Sequence, residues 1–431
     1  MTEETVRRQP SPRPAVAVAV VGAGPVGLTL ALRAAAALPD AEVSLFDARP
    51  ADKDVSGDPR TLALSEGSVQ ALGRLGAWNA AAAQPIEAVH VSQQAPSLAA
   101  LLPGGLGDPE LSIRADAEGV AQLGAVLAYG AIVAPLQRAW EAAVAREPDR
   151  LFARFGTAVT ALRDVPGGVE VDAGVVERFD LAVVAEGGVF QRAADGAPDA
   201  AAPGTPRVAV DAVFGRGPFR HDYRQTAWVG TATFDAATPI GATAYERFTR
   251  HGPAALLPLR DGRAGLVWCV PSDDDPVAAL DDAQRATVLR AIFHPRTPRL
   301  ATVSPLKRFP LGLVAERSLV AGRTVRIGNA AQPLHPVAGQ GLNLGLRDVE
   351  VLVRALAETR DAAGIDRALA RLDRERRADR WSMIATTDFL ARSFTWKLPG
   401  AAAARGLGIA ALDALGPVKS RIARQMMFGT R

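Results

Sequence analysis

Val18-Ala-Val-Val-Gly22-Ala-Gly24-Pro25-Val26-Gly27 is the stretch whose reading decides the fold. It continues an apolar run from Val16 that suits a strand covered on both faces. Gly22 permits a sharp turn, Gly24 lets backbone approach phosphate oxygens, and Gly27 lets the next helix pack close to the strand. That helix, expected from about Pro25 to Leu38, aims free amides at a pyrophosphate. Pro25 fits its first turn, where a missing N–H loses no partner. A second strand, Glu42-Val-Ser-Leu-Phe46, ends at Asp47, placed to accept hydrogen bonds from a ribose. The bland alternative is an ordinary α/β glycine turn with Asp47 capping a loop. Strand, glycines, helix and acid in this order favour a dinucleotide.

Bulk properties fit an enzyme with a full-sized core and room for two domains. The chain has 431 residues, 48% hydrophobic and 22% charged, and a formal net charge of +3 that implies no nucleic-acid partner. One cysteine, Cys269, excludes an internal disulfide and fits a reducing, cytoplasmic setting. Five histidines lie at His90, His221, His251, His294 and His335 without metal-ligand spacing, so no metal is expected. The uncharged run from Ala15 to Leu32 resembles a signal or short spanning segment, but Gly22, Gly24, Pro25 and Gly27 interrupt it. Residues 1–14 are read as a disordered leader.

A second glycine-rich stretch lies far downstream: Arg326-Ile-Gly328-Asn329-Ala-Ala-Gln332-Pro-Leu-His335-Pro336-Val-Ala-Gly339-Gln340-Gly341-Leu342-Asn343-Leu-Gly-Leu-Arg347-Asp348. It reads as a strand over 323–327, a turn at Gly328, and a helix opened by Gly339-Gln340-Gly341 and running to about Leu356. Such a helix start offers free amides and a positive dipole end, suited to negative charge on a reduced isoalloxazine. Asn329 can hydrogen-bond a ribityl chain, or cap a turn. No second Gly-x-Gly-x-x-Gly appears, so no separate NAD(P)H domain is expected. Between the two stretches, Glu177-Arg-Phe-Asp180-Leu-Ala-Val-Val-Ala-Glu186-Gly187-Gly188 reads as a further buried strand running into a glycine turn.

The chain resembles the FAD-dependent aromatic hydroxylases of ubiquinone biosynthesis, within the p-hydroxybenzoate hydroxylase-like (class A) flavoprotein monooxygenases, most of all the 2-octaprenyl-6-methoxyphenol hydroxylase type. The resemblance rests on both glycine stretches, on Asp58-Pro-Arg60-Thr-Leu-Ala-Leu-Ser65, on Ala244-Tyr-Glu-Arg-Phe-Thr249 with Gly252-Pro253, and on Thr386-Thr-Asp388-Phe-Leu390 and Gly416-Pro-Val-Lys419. It departs at Gly328-Asn329, where the superfamily usually has Gly-Asp, and at Ala185-Glu186-Gly187, where Ala-Asp-Gly is usual. The second departure leaves the docking of the reductant open.

The resemblance implies an FAD cofactor, NAD(P)H as transient reductant, and O2 addition at flavin C4a. The resulting hydroperoxide would hydroxylate a polyprenyl phenol, with no protein nucleophile required. Implied cofactor contacts are Gly22, Gly24, Pro25, Val26, Gly27, Asp47, Arg60, Gln137, Glu186, Gly328, Asn329, Gln332, Gly339, Gln340, Gly341, Leu342 and Asn343. Pro336 would line the flavin beside the substrate. His335 is either a proton-relay group or a histidine satisfied within the loop, the latter favoured. Arg60 could instead be solvated, and Gln137 is the weaker candidate, near the start of a helix opening at Pro135.

The expected fold is α/β: a Rossmann-like FAD-binding domain of the p-hydroxybenzoate hydroxylase type built from 15–86, 125–202 and 313–356. A mostly antiparallel β substrate domain takes 87–124 and 207–309, and a helical region occupies 360–431. In the tail, Val418, Ile422 and Met426 fall on one helical face beside Lys419, Arg421 and Arg424. The favoured reading packs this stripe on the protein's own core; peripheral contact with an inner membrane is the other. Alternative functions are a different FAD oxidoreductase, such as a prenyl reductase, or a non-catalytic FAD-binding scaffold in a quinone-synthesis complex.

Overall fold

The computed structural model describes residues 16–94, 108–187, 209–210, 217–336, 339–359, 362–393 and 400–429. The leader assigned to residues 1–14 lies outside them. Four neighbouring strands form the heart of the nucleotide-binding layer: Thr324–Arg326, Leu181–Val184, Val16–Val21 and Ala41–Asp47, each parallel to the next. Leu151–Phe155 extends this sheet on one side and Val320–Ala321 closes it on the other. Their Val, Leu and Ala side chains are nearly all buried, as a sheet covered on both faces requires. The run from Val16 to Leu32 is therefore strand, turn and core helix, and the glycines are what bend it.

Helix α1 (Pro25–Ala37) is apolar and almost wholly buried. It packs between α3 (Tyr129–Arg146) and α5 (Gly341–Ala357). The α3 helix begins at Tyr129, before the expected Pro135, which sits inside it. A small three-stranded sheet, Thr61–Ser65, Gly124–Ala128 and Gln84–Ile86, leads into α2 (Glu66–Arg74).

The second layer is an eight-stranded sheet centred on the long strand Phe219–Phe234. All its pairs are antiparallel except Thr243–Phe248 with Ala88–Gln93. Lys307–Ala315 pairs with Phe219–Phe234, so this sheet continues past residue 309 to Ala315. Helix α4 (Asp282–Ile292) covers one face. Its N-terminus carries a capping box between Asp281 and Gln284, which satisfies first-turn amides.

The tail is helical: α6 (Ala362–Ser393), α7 (Ala401–Ala414) and α8 (Gly416–Phe428). In α8 the packed residues are Ala423 and Met427, while Val418 and Ile422 remain 46% and 37% exposed. This corrects the favoured reading of the stripe: the buried face is turned by one position. Among the described residues no single helix is long and apolar enough to cross a membrane; α7 and α8 pass that test only together, bent by 95°.

Candidate active site

The glycines of the opening turn are fixed by space. A Cβ at Gly27 would lie 1.8 Å from the Gly22 carbonyl oxygen, and Gly22 has φ +103° with the Glu186 backbone 3.0 Å from its would-be Cβ. Gly24 differs, since a Cβ there would meet only Tyr129 Oη, at 3.6 Å. The packing glycines are thus filled in by protein, while the phosphate-approach glycine faces open space. That is a cradle shaped for a pyrophosphate.

Asp47 braces this turn from the next strand end. Its Oδ2 accepts the Ala23 N–H at 2.5 Å and its Oδ1 accepts the Arg49 N–H at 2.8 Å. Gln137, buried in α3, accepts from Arg49 Nη1 at 2.9 Å, and Arg49 Nη2 reaches Ala23 O. Arg60 donates to Asp58 and stacks its guanidinium 4.1 Å from the Tyr129 ring centroid, beside Gly24. Arg49 and Tyr129 escaped the sequence reading. A cation two residues past the acidic strand end was the available signal for Arg49; Tyr129 offered none.

The late stretch arrives at the same place. Its strand is separated from Val16–Val21 only by Leu181–Val184, so Gly22, Glu186 and Gly328 all follow the carboxyl ends of adjacent parallel strands. Gly328, at φ +59°, would bring a Cβ within 3.3 Å of Val26 Cγ2, and Gly345 one within 2.8 Å of the same atom. The two glycine stretches are in direct contact. The open-sheet rule puts a ligand at such a junction.

The side chains of the late loop divide into those facing outward and those that hold it. Asn329 is exposed, with Oδ1 3.3 Å from a would-be Gly341 Cβ, so it overlies the first turn of α5. Pro336 is exposed, Gly339 and Leu342 are half-buried, and Gln340 is buried at the helix start. Asn343 spends its whole hydrogen-bonding capacity on protein: Oδ1 accepts from Ser65 N and Ser68 Oγ at 2.8 Å, and Nδ2 donates to Ala63 O and Gly339 O. Gln332 is fully buried, accepting from Arg380 Nε at 2.6 Å and donating to Asp348 Oδ2. Asp348 also accepts the Gly328 N–H, and Arg376 Nε donates to it at 2.7 Å. The sequence reading made Asn343 and Gln332 cofactor contacts; their side chains anchor the loop instead.

His335 is buried, with Nε2 3.1 Å from Gln225 Oε1 and its ring edge-on to Tyr223. Burial lowers its pKa to about 3, so the imidazole is neutral. Gln225 also donates to Ala391 O of α6, and Tyr223 donates to Asp388.

Across from this loop, the face of the eight-stranded sheet turned away from α4 forms an apolar floor, flanked by α6 at Val229 and Val267 and by α7 at Gln93. Val91, Glu246, Ala255, Val267 and Val229 lie in one cross-strand row, and each keeps partial exposure. Val229, Val267 and Leu334 pack on one apolar cluster. At the other edge Ala63, against which a Gly339 Cβ would rest at 3.3 Å, clusters with Ala244 and Leu257. The floor therefore faces the Leu334–Gly339 side of the loop. A separate cleft of about 550 Å³ between α2, α5, α6 and α8 is lined by paired charges such as Arg354–Glu375 and Arg347–Asp379, and does not include the glycine loops.

Two of the histidines that look scattered in the sequence meet on the opposite face. His90, His294 and Glu110 bring their ligand atoms within 4.8 Å of one another. His294 Nδ1 accepts the Arg296 N–H at 3.1 Å, whereas a histidine bound to metal through Nε2 carries its proton on Nδ1. Arg296 also lies 3.4 Å from Glu110. The cluster is built as a hydrogen-bonded one.

This is the fold of the FAD-binding monooxygenases, and residues 213–387 match the FAD binding domain family. Among solved structures, the p-nitrophenol 4-monooxygenase PnpA from Pseudomonas putida superposes with a TM-score of 0.67 at 17% identity, over 96% of this chain and 98% of that one. Klebsiella pneumoniae HpxO complexed with FAD and uric acid superposes at 0.62, also at 17% identity, over 96% of both chains. In sequence the chain is similar to the ubiquinone hydroxylase UbiL of Rhodospirillum rubrum, 36% identical over 48% of each chain. The chain spans about half the length of the curated relatives it matches. These relatives bear out the resemblance to ubiquinone-biosynthesis FAD hydroxylases and support FAD as the cofactor.

Proposed function

We propose that the chain is an FAD-dependent monooxygenase that uses NAD(P)H and O2 to hydroxylate the ring of a polyprenyl phenol in ubiquinone biosynthesis. The carrying observation is the contact of Val26 with Gly328 and Gly345, which joins the two glycine stretches at one strand-end junction. Gly22, Gly24, Pro25, Val26 and Gly27 would present the amides that hold the pyrophosphate, with Arg60 and Arg49 near it. Asp47 would accept from the ribose, and Asn329 would reach the ribityl chain. Glu186 sits between the two stretches. The Gly339-Gln340-Gly341-Leu342 start of α5 would set its positive end against the flavin. Bound FAD would supply the oxygen-transfer chemistry. The apolar floor fits an aromatic ring with a lipid tail, and the neutral His335 and Pro336 would wall the reacting face from water.

The test is to load the purified full chain with FAD, add a short-chain prenylphenol, and follow NAD(P)H oxidation together with a hydroxylated product by mass. A yellow protein that consumes no reductant with any prenylphenol favours the scaffold reading, as part of a quinone-synthesis complex.

A peripheral membrane contact is a second element of the proposal, favoured by the exposed Leu407, Leu415, Val418 and Ile422 around the α7–α8 bend. Arg421 is exposed beside them, and Asp413 is neutralised by Lys419 at 2.9 Å. Combining Leu415→Glu with Val418→Glu should reduce flotation with anionic vesicles at least severalfold while the melting temperature holds. Unchanged flotation removes the bend from consideration.

A further inference from the structure

Glu246 is the one polar side chain in the floor row. The strand Thr243–Phe248 alternates cleanly: Tyr245 and Arg247 point to the α4 side, where Tyr245 meets His90 and Arg247 donates to Ile292 O and pairs with Asp108. Ala244 points the other way, into the cluster with Ala63 and Leu257, and Glu246 follows it. Its cross-strand neighbours on that face are Val91, Ala255 and then Val267 and Val229, none of which can hydrogen-bond through its side chain. Cys269, one row on, is close enough for the Glu246 carboxylate to help burial push its thiol pKa up.

Among the described residues Glu246 has no hydrogen-bond or ion-pair partner, yet it is not a surface carboxylate. It lies deep in the protein, where burial alone pushes its pKa up to about 7, and it still keeps accessible surface. An isolated carboxyl on an apolar floor, opposite the flavin loop, is costly to maintain unless a ligand satisfies it. The matching ligand group is a hydroxyl on an otherwise apolar ring.

We propose that Glu246 is a catalytic residue that receives the substrate's phenolic hydroxyl as hydrogen-bond acceptor and general base. The phenol O–H bond breaks, the proton passes to a Glu246 carboxylate oxygen, and the electron pair stays on the phenol oxygen, enriching the ring for attack by an electrophilic oxygen. No other reactant is required for this step. The inference rests on the proposed function for its substrate class and adds the group that would recognise it. A carboxyl titrating near neutrality suits a base of this kind. Burial is the sole cause of its shift; among the described residues the titratable groups on elements packed at this face are Cys269, Lys307, His335, Tyr223 with its partner Asp388 on α6, and Arg405 on α7.

The experiment titrates the FAD-loaded full chain with 2-prenylphenol and with its methyl ether, reading the change in flavin absorption from pH 5.5 to pH 8.5. The wild type should prefer the phenol by about tenfold, and the preference should fade as the pH drops through about 7 and the carboxylate takes up its proton. Glu246→Gln should flatten the pH dependence and shrink the preference, while Glu246→Asp should restore part of both. A Gln variant with unchanged preference and pH profile overturns the assignment, as does a wild type that treats phenol and ether alike or binds neither. This readout needs no turnover, so a chain that binds the phenol in this way but makes no hydroxylated product sinks the monooxygenase reading and leaves Glu246 as the phenol-binding group.

Discussion

The two glycine stretches end at the same junction but are built on different principles. The opening turn is held by backbone: Gly27 packs on Gly22, Gly22 packs on the Glu186 main chain, and one carboxylate, Asp47, ties the turn to the next strand. The late loop is held by side chains from other parts of the chain. Asn343 binds the Ser65–Ser68 region, Gln332 and Asp348 bind one another, and Arg376 and Arg380 of α6 complete the set. A loop held by backbone tolerates no added atom where its main chain is packed, as at Gly22 and Gly27. One held by a buried network depends on charges that must stay paired, and it can transmit a change from the helical tail to the site.

The sharpest break falls on the backbone side. Gly27→Ala should abolish FAD retention, because its methyl would stand 1.8 Å from a carbonyl oxygen and α1 would have to leave its strand. Gly24→Ala has room beside Tyr129 Oη and should leave the melting temperature nearly unchanged while FAD affinity falls by about tenfold or more, the methyl occupying the phosphate approach. FAD content after gel filtration and thermal melts separate the two. Equal melting losses in both variants would mean that Gly24 is packed rather than open.

On the network side, Arg376→Met leaves Asp348 buried without its ion pair. Asp348 is fully buried and Arg376 is 4% exposed. Breaking such a pair costs about 3–5 kcal/mol, whereas replacing both partners costs far less. Arg376→Met combined with Asp348→Asn should therefore recover part of the stability lost in the single variant, measured by urea denaturation. A double variant no better than the single one would show that the loop hangs on Arg376 through Asp379, to which it is also bound.

The contrast also explains what could be read from the letters. The opening turn was legible because its requirement is local: glycines at fixed spacing between an apolar strand and a helix. The late stretch was legible as strand, turn and helix, but the roles of Asn343 and Gln332 were not, since their partners Ser65, Ser68 and Arg380 are distant in sequence. The α8 stripe was misjudged because Val418–Ile422 and Ala423–Met427 share the same spacing, and small Ala423 lets the backbone approach closely. Glu246 sat inside a quoted motif without a role. Period-2 alternation shows that it opposes Arg247, but only the structure reveals which of the two faces lies under α4.

A further effect is expected on acid stability, and it bears on the network side through His335. Its folded pKa, about 3, lies below the ordinary 6.5, so protonation favours the unfolded chain. The stabilising contribution is whole above pH 6.5 and drains as the pH falls from there toward 3, at about 1.4 kcal/mol per unit. His335→Gln removes the titrating ring, and its amide can keep a bond to Gln225. The variant's urea midpoint should then fall less steeply between pH 6.5 and pH 4 than the wild type's, with little difference at pH 8. Identical slopes would mean that the imidazole escapes its pocket before it protonates, so that the wall around the flavin loop opens more readily than the opening turn beside it.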